Sequence, residues 1–111
     1  MVRTGMRRRE WKALLEEEDR LVVVDFTAVW CGPCQRIAPT FEAMAEEYAE
    51  QAVFVKVDVD ELPELAAQLG VSSMPTFLFY RRGERLDMLR GADEAGLRRL
   101  VAEHSALPAA A

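Results

Sequence analysis

The residues of this 111-residue chain that are best suited to chemistry are Cys31 and Cys34, its only cysteines. They stand in the stretch Trp-Cys-Gly-Pro-Cys, close after a run of apolar residues. Two thiols at positions i and i+3 can lie side by side, so that one attacks a disulfide and the other then breaks the mixed disulfide that forms. The type and spacing of the two residues therefore indicate thiol–disulfide exchange.

Two other interpretations of the cysteine pair have to be weighed. The pair could be buried and inert, but tryptophan, glycine and proline seldom surround such a pair. It could supply half of a zinc site, but the chain has no further cysteine and only one histidine, His104. A zinc ion shared between two chains is left as a remote option. We therefore predict a redox-active pair, with no metal and no cofactor.

Asp25 is a second candidate for chemistry, because it interrupts the apolar run Val-Val-Val-Asp-Phe. Surroundings that are apolar on both sides solvate an ionised carboxylate poorly, which predicts a raised pKa for Asp25. A buried carboxyl with a raised pKa can accept a proton near neutral pH. Asp25 is therefore a candidate base for Cys34, whose thiol has to become a thiolate during the exchange.

The segments on either side of the cysteines predict how the pair is positioned. Residues 20–29 are apolar on both faces, which is typical of a central strand. A helix is predicted from about residue 34 to 51, and Pro39 inside it is expected to kink it. Cys31 then lies just before the helix, where free backbone amides and the positive end of the helix dipole favour a thiolate.

The remaining elements follow from hydrophobic periodicity and from turn residues. Asp60 is predicted to cap the third helix, Arg82-Gly83 to form a hairpin turn, and Asp93 to cap the last helix. The other predicted segments are a strand at 2–4, helices at 8–18, 61–69 and after 93, and strands at 52–59, 76–80 and 85–90. Their order, βαβαβαββα, predicts an α/β fold with a mixed sheet and helices on both faces.

Composition and charge limit the classes of function. The chain has 111 residues, half of them hydrophobic and 30% charged, which predicts one domain over 1–111 with a frayed tail at 105–111. A net charge of −5 and the lack of a basic stripe argue against nucleic acid as a partner. No apolar run is long enough to span a membrane, and no apolar signal region is visible, so we expect a cytoplasmic protein.

The chain resembles the thioredoxin family in three stretches: VVVDFTAVWCGPCQRIAP, FVKVDVDE and GVSSMPTFLFYRRGE. They occur in the order and at the spacing found in thioredoxins, and the resemblance extends from about Trp11 to the last helix. The segments VDVDE and MPTF are more similar to cytosolic eukaryotic thioredoxins, including the plant h-type, than to the usual bacterial pattern. The resemblance implies a thioredoxin fold and a protein-disulfide reductase.

The resemblance also implies roles for individual residues. Cys31 matches the attacking nucleophile, and Cys34 matches the resolving cysteine. Asp25 matches the buried carboxylate behind the active site, and Lys56 matches the lysine on the neighbouring strand. Pro75 matches a proline with a cis peptide bond that faces the disulfide. The residues that match the substrate-binding surface are Trp30, Gly32, Pro33, Ser73, Met74, Pro75, Gly91 and Ala92.

Three positions depart from the pattern that is common in the family. Gln35 stands where many thioredoxins have a basic residue, and the charge moves to Arg36. Val29 replaces a residue that is often polar, which makes the rim of the site more apolar. Ser73 stands where animal cytosolic thioredoxins often have a further cysteine, which removes one route to regulatory dimers. The first two departures affect the choice of partner and leave the chemistry unchanged.

Gly32 and Pro33 predict the direction of the reaction. They offer neither a charge nor a side-chain donor to a thiolate, so the dithiol is less stabilised and gives up electrons more readily. This favours a reductase of protein disulfides over an isomerase. The expected partners are disulfide-containing target proteins and a thioredoxin reductase, and we expect a monomer. The alternative is a binding module whose surface matters more than its sulfur atoms, although the intact site argues against it.

Overall fold

A computed structural model of the chain describes residues 1–106. Its order of strands and helices is the one predicted from the sequence. The elements are β1 (Val2–Arg3), α1 (Arg8–Glu17), β2 (Leu21–Thr27), α2 (Gly32–Glu47), β3 (Ala52–Asp58), α3 (Pro63–Gln68), β4 (Thr76–Arg81), β5 (Glu84–Arg90) and α4 (Glu94–Ser105). Within residues 1–106, no helix has both the length and the apolarity that crossing a membrane requires.

The predicted frayed tail, 105–111, includes one residue that belongs to a helix. Ser105 is the last residue of α4 and is buried, because the final turn of this helix still packs on the protein. Most of the predicted tail, residues 107–111, lies outside the described residues.

The five strands form one mixed sheet in the order β1-β3-β2-β4-β5. Strand β2 is central: it pairs with β3 in parallel and with β4 in antiparallel orientation. In this register Asp25 lies between Lys56 of β3 and Phe77 of β4. The apolar run around Asp25 therefore forms the predicted central strand, with both of its edges occupied by neighbouring strands.

Side chains of β2 alternate between two hydrophobic cores, one on each face of the sheet. Val22 and Val24 face the core that contains residues of α1 and α3, whereas Val23 faces the core that contains residues of α2 and α4. By this alternation, Asp25 points to the same face as Val23. The face of Asp25 is thus the face that α2 covers, and α2 is the helix that carries Cys34.

Helix α2 begins and ends earlier than predicted. Gly32 and Pro33 already belong to its first turn, and Cys31 is the N-cap residue. The helix ends at Glu47 because the chain turns there towards the sheet: the backbone NH of Ala52 donates to the carbonyl of Tyr48 at 2.9 Å. Pro39 lies inside the helix, as predicted from the sequence.

The prediction that Asp60 caps α3 is wrong. The N-cap residue is Leu62, and no side chain caps this helix. A turn separates Asp60 from the helix, since the backbone NH of Leu62 donates to the carbonyl of Asp58 at 3.2 Å. The Asp60 carboxylate instead accepts a hydrogen bond of 2.9 Å from the indole nitrogen of Trp30. A residue that was assigned to local structure therefore contacts a predicted site residue.

Two other predictions from local sequence signals are confirmed. The Asp93 carboxylate caps α4 by accepting a hydrogen bond of 2.9 Å from the backbone NH of Gly96. Arg82 and Gly83 form the turn between β4 and β5, with φ angles of 51° and 80°. Both residues are left-handed, as a tight hairpin requires, and Gly83 adopts this conformation without steric cost.

Asp93, which caps a helix, and Asp60, which does not, provide a test of the capping assignment. Asp93→Ala should lower the free energy of unfolding by about 1 kcal/mol, because it leaves an amide of the first turn of α4 without its partner. Asp93→Asn retains an acceptor and should lose much less. Asp60→Ala should also lose less than Asp93→Ala, because Asp60 caps no helix. Urea denaturation measures all three losses, provided that the dependence of the free energy on urea concentration is the same in each variant. Equal losses for the two alanine variants would contradict the assignment.

Candidate functional site

The two cysteines form a disulfide at the start of α2. After β2 the chain turns at Ala28, whose carbonyl accepts hydrogen bonds from the backbone NH of Cys31 at 3.1 Å and from the Gln35 side chain at 3.3 Å. This turn places Cys31 at the N-cap and Cys34 in the first helical turn, with their Cα atoms 5.3 Å apart. The structure therefore brings together the pair that its spacing predicts to react.

The first turn of α2 directs backbone dipoles at Cys31. The backbone NH of Cys34 donates to the Sγ atom of Cys31 at 3.2 Å. In the reduced protein the same NH faces the sulfur on which negative charge develops, and the 16-residue helix adds the positive end of its dipole. Both effects favour a thiolate at Cys31 over a thiol.

Cys31 is the sulfur that lies closer to solvent. Its exposed fraction is 5%, against 1% for Cys34, so neither side chain is widely open in the disulfide form. The residues just before the pair are much more exposed: Val29 by 79% and Trp30 by 65%. An exposed apolar rim therefore lies beside the Cys31 end of the disulfide.

Asp25 is buried to 1% exposure, and neither of its carboxyl oxygens has a hydrogen-bond partner among the described residues. Burial disfavours the charged form and raises the pKa of Asp25 to about 7, while the positive charge of Lys56 acts in the opposite direction. The direction predicted from the apolar run is confirmed. A carboxyl group with this pKa can take up or release a proton near neutral pH.

Lys56 lies between Asp25 and solvent-exposed groups. It is the register partner of Asp25 on β3, and its Nζ atom is 4.0 Å from the Oε2 atom of Glu42 on α2. Its side chain is 25% exposed and lines a groove of about 250 Å³ that also borders Cys34 and Gln35. The groove links the buried sulfur and the lysine to the same region of solvent.

The peptide bond between Met74 and Pro75 is cis, as the resemblance implies. The carbonyl oxygen of Met74 lies 3.6 Å from the Sγ atom of Cys31, which is a contact, because a disulfide sulfur has no proton to donate. Ala28, Val59 and Met74 pack around the two sulfur atoms. The backbone of Met74 is thus held directly beside the disulfide.

The loop around Gly91 is joined to the loop of Met74 and Pro75 by a hydrogen bond to Pro75. Its carbonyl accepts a hydrogen bond of 2.8 Å from the backbone NH of Gly91. Gly91 has a φ angle of 91°, a conformation in which a residue with a side chain is strained, so glycine suits the position. Ser73, two residues before Pro75, and Ala92, next to Gly91, are exposed. The predicted surface residues at 73–75 and 91–92 therefore lie on two loops that are joined by this hydrogen bond.

Some contacts of the site could not be assigned from the sequence. Asp60 binds Trp30, Val59 packs against the disulfide, and Glu42 lies beside Lys56. The only signal for the first of these was that the indole NH of Trp30 is a donor and that acidic residues occur in VDVDE. The sequence did not show which of those acidic residues the indole would reach.

His104 lies away from this site, as a partly covered histidine at 19% side-chain exposure. Its Nε2 atom is 3.0 Å from the carboxylate of Asp87, and this hydrogen bond lowers the pKa of Asp87. The backbone carbonyl of His104 accepts a hydrogen bond of 2.7 Å from Arg81. These contacts join the end of α4 to β4 and β5, and they give His104 a structural position.

A concavity of about 800 Å³ between α1 and α3 is larger than the groove beside Cys34. Trp11, Leu15 and Leu65 are among the residues that line it, and none of the predicted site residues does. The disulfide therefore lies outside the larger concavity and beside the small groove that borders Cys34. A groove of about 250 Å³ is smaller than the roughly 300–1,000 Å³ of most small-molecule sites, so the site suits a protein substrate better than a small molecule.

Comparison with known proteins agrees with this geometry. The family model described as Thioredoxin matches residues 3–103. The chain is 48% identical over 99 residues to "Thioredoxin H-type" of Chlamydomonas reinhardtii, covering 86% of this chain and 88% of that protein. It is 53% identical over 91 residues to a thioredoxin of Geodia cydonium, covering 81% and 85%. The solved thioredoxin of Malassezia sympodialis superposes with a TM-score of 0.89 at 38% identity, covering 95% and 94%.

The burial of Asp25 predicts a pH-dependent stability. The folded state holds the Asp25 proton up to a pKa of about 7, whereas an unfolded aspartate loses it near pH ~3.9. The free energy of unfolding should therefore fall as the pH rises between these two values. Asp25→Asn removes the charge and keeps the shape, so at about pH 8 it should be more stable than the parent by up to about 4 kcal/mol.

Denaturant midpoints at about pH 5 and about pH 8 measure this effect, and the gain should shrink at the lower value. Asp60→Asn is the matched control, because Asp60 is exposed and its substitution should bring no such gain. An Asp25→Asn variant that is less stable than the parent at the higher pH would show that the buried carboxylate contributes a favourable interaction.

Proposed function

The chain belongs to the thioredoxin family and is a dithiol–disulfide oxidoreductase, and on this basis we propose that Cys31 and Cys34 reduce target proteins and are recycled by a thioredoxin reductase. The observation that carries the proposal is the disulfide between the N-cap and the first turn of α2, beside an exposed apolar rim. This arrangement combines an activated sulfur with a surface on which a protein can dock.

The proposed reaction has two steps and transfers two electrons to the target. The thiolate of Cys31 attacks one sulfur of the target disulfide, forms a mixed disulfide and displaces the other target sulfur as a thiolate. The thiol of Cys34 then loses its proton and attacks the Sγ atom of Cys31, which releases the second target thiolate. The target gains two thiols after protonation, and the Cys31–Cys34 disulfide is formed.

Asp25 is the proposed acceptor of the Cys34 proton. It lies on the sheet face that α2 covers, and a pKa of about 7 lets it bind a proton without requiring strongly alkaline conditions. Lys56 is proposed to moderate this pKa, since its positive charge favours the ionised form of Asp25. The two residues thereby adjust the second step, whereas the first step depends on the helix start at Cys31.

The target is proposed to bind across the loops around the disulfide. The backbone of Met74 beside Cys31 can pair with an extended segment of the target, as exposed backbone groups do in β-strand addition. The apolar rim at Val29 and Trp30 can cover the same segment. The residues proposed to form this binding surface are Trp30, Gly32, Pro33, Ser73, Met74, Pro75, Gly91 and Ala92.

Direction, location and oligomeric state are also proposed. Gly32 and Pro33 bring no charge to the sulfur atoms, which supports reduction of targets over isomerisation. A dithiol that acts as a reductant has to be kept reduced, so we place the protein in a reducing compartment such as the cytoplasm. We propose that it acts there as a monomer.

Reduction of insulin tests this function. The protein should accelerate the reduction of insulin by dithiothreitol, and it should do so with NADPH and a thioredoxin reductase when dithiothreitol is left out. The variant with both cysteines replaced by serine should be inactive in both assays while its fold, measured by circular dichroism, is unchanged. A parent protein that accelerates the reduction no more than this variant does would instead favour a binding module.

The order of the two steps predicts different behaviour of two single variants. Cys34→Ser retains the attacking sulfur and cannot resolve the mixed disulfide, so it should accumulate stable mixed disulfides with target proteins. Cys31→Ser lacks the attacking sulfur and should accumulate none. Non-reducing gels of proteins captured from a cell lysate measure both. Comparable capture by the two variants would contradict the assigned roles.

A further inference from the structure

Two carboxylates have to be considered near Lys56. One is Asp25 of β2, which is the register partner of Lys56 on β3. The other is Glu42 on α2. The Nζ atom lies 4.0 Å from Glu42, whereas it forms no ion pair within that distance with Asp25, whose oxygens have no hydrogen-bond partner among the described residues. The ammonium group therefore has the exposed carboxylate at the 4.0 Å limit of an ion pair, whereas the buried carboxylate lies outside that distance.

We propose that Glu42 is a positioning residue that draws the Lys56 ammonium towards the surface of α2 and so keeps Asp25 from forming an ion pair. This inference deepens the proposed function, because it rests on Asp25 as the proton acceptor of Cys34. Glu42 acts only through Lys56 and touches neither the sulfur atoms nor the target. Its effect is to adjust how readily Asp25 binds a proton.

Three other carboxylates lie in the surroundings of Lys56. Glu46 of α2 borders the same concavity as Glu42 and Lys56, and Asp58 and Glu61 border the groove beside Cys34. Among residues 1–106, Glu42 supplies the one carboxylate that lies within 4.0 Å of the Lys56 Nζ atom. Glu46 is thus nearby and of the same type, but it does not form the ion pair, which makes it a matched control.

The sign of the effect follows from where the positive charge goes. Without the Glu42 carboxylate, Lys56 is free to turn towards Asp25, and an opposite charge at closer range favours the ionised form. The loss of the Glu42 charge itself adds little, because that carboxylate is 62% exposed and screened by solvent. The closer ammonium group therefore lowers the pKa of Asp25, which burial otherwise raises to about 7. A lower pKa makes Asp25 a poorer acceptor for the Cys34 proton.

The pKa of Asp25 can be measured by NMR titration of its ¹³C-labelled carboxyl group in the oxidised protein, where the cysteines do not titrate. Glu42→Gln should lower this pKa from about 7 towards about 6, and Glu46→Gln should leave it nearly unchanged. Lys56→Met should raise it. In the Lys56→Met background, Glu42→Gln should have little further effect, because the residue through which Glu42 acts is missing.

Two results would overturn the proposal. One is an unchanged or higher pKa in Glu42→Gln, and the other is an equal decrease in the presence and absence of Lys56, which would assign the effect to the field of Glu42 itself. The reduction kinetics provide a separate readout. If the pKa of Asp25 falls but the pH dependence of the Cys34 step does not move, Glu42 positions Lys56 as proposed, and Asp25 is not the acceptor of the Cys34 proton.

Discussion

The burial of β2 is the constraint on which the rest of this structure depends. A strand that is hydrogen-bonded along both edges and covered on both faces must be apolar almost throughout, and Val22, Val23 and Val24 meet this requirement with no exposed surface. The same burial leaves Asp25 poorly solvated and raises its pKa to about 7. The burial of β2 thus supplies the core of the fold and also makes the Asp25 carboxyl group an unusually weak acid.

The end of β2 determines the other half of the site. Because the strand leads through a short turn into α2, Cys31 is placed at the helix N-cap and receives the backbone NH of Cys34. Helix α2 then packs with Ile37 and Phe41 on the sheet face towards which Asp25 points. The sulfur pair and Asp25 are therefore attached to consecutive elements of the chain, and α2 covers the sheet face to which Asp25 belongs.

Most of the fold could be predicted because its signals are local. The apolar run of β2, the glycine of the β4–β5 turn and the Asp93 cap each act within a few residues, and all three form as predicted. The prediction for Asp60 is wrong because the contact that this residue makes is not local. An aspartate before a helix is a common cap, but a turn intervenes, and the indole of Trp30, thirty residues earlier, takes the carboxylate as its acceptor.

The sequence by itself determined the redox pair, the buried carboxylate, the order of the elements and, through the resemblance, the family. These depend on residue type and on spacing along the chain, which a sequence records directly. Only the tertiary structure decided that Met74 lies beside Cys31, that Gly91 donates a hydrogen bond to Pro75 and that Lys56 lies 4.0 Å from Glu42. Each of these contacts joins different elements, and its geometry is set by strand register and helix packing, which are properties of the folded chain as a whole.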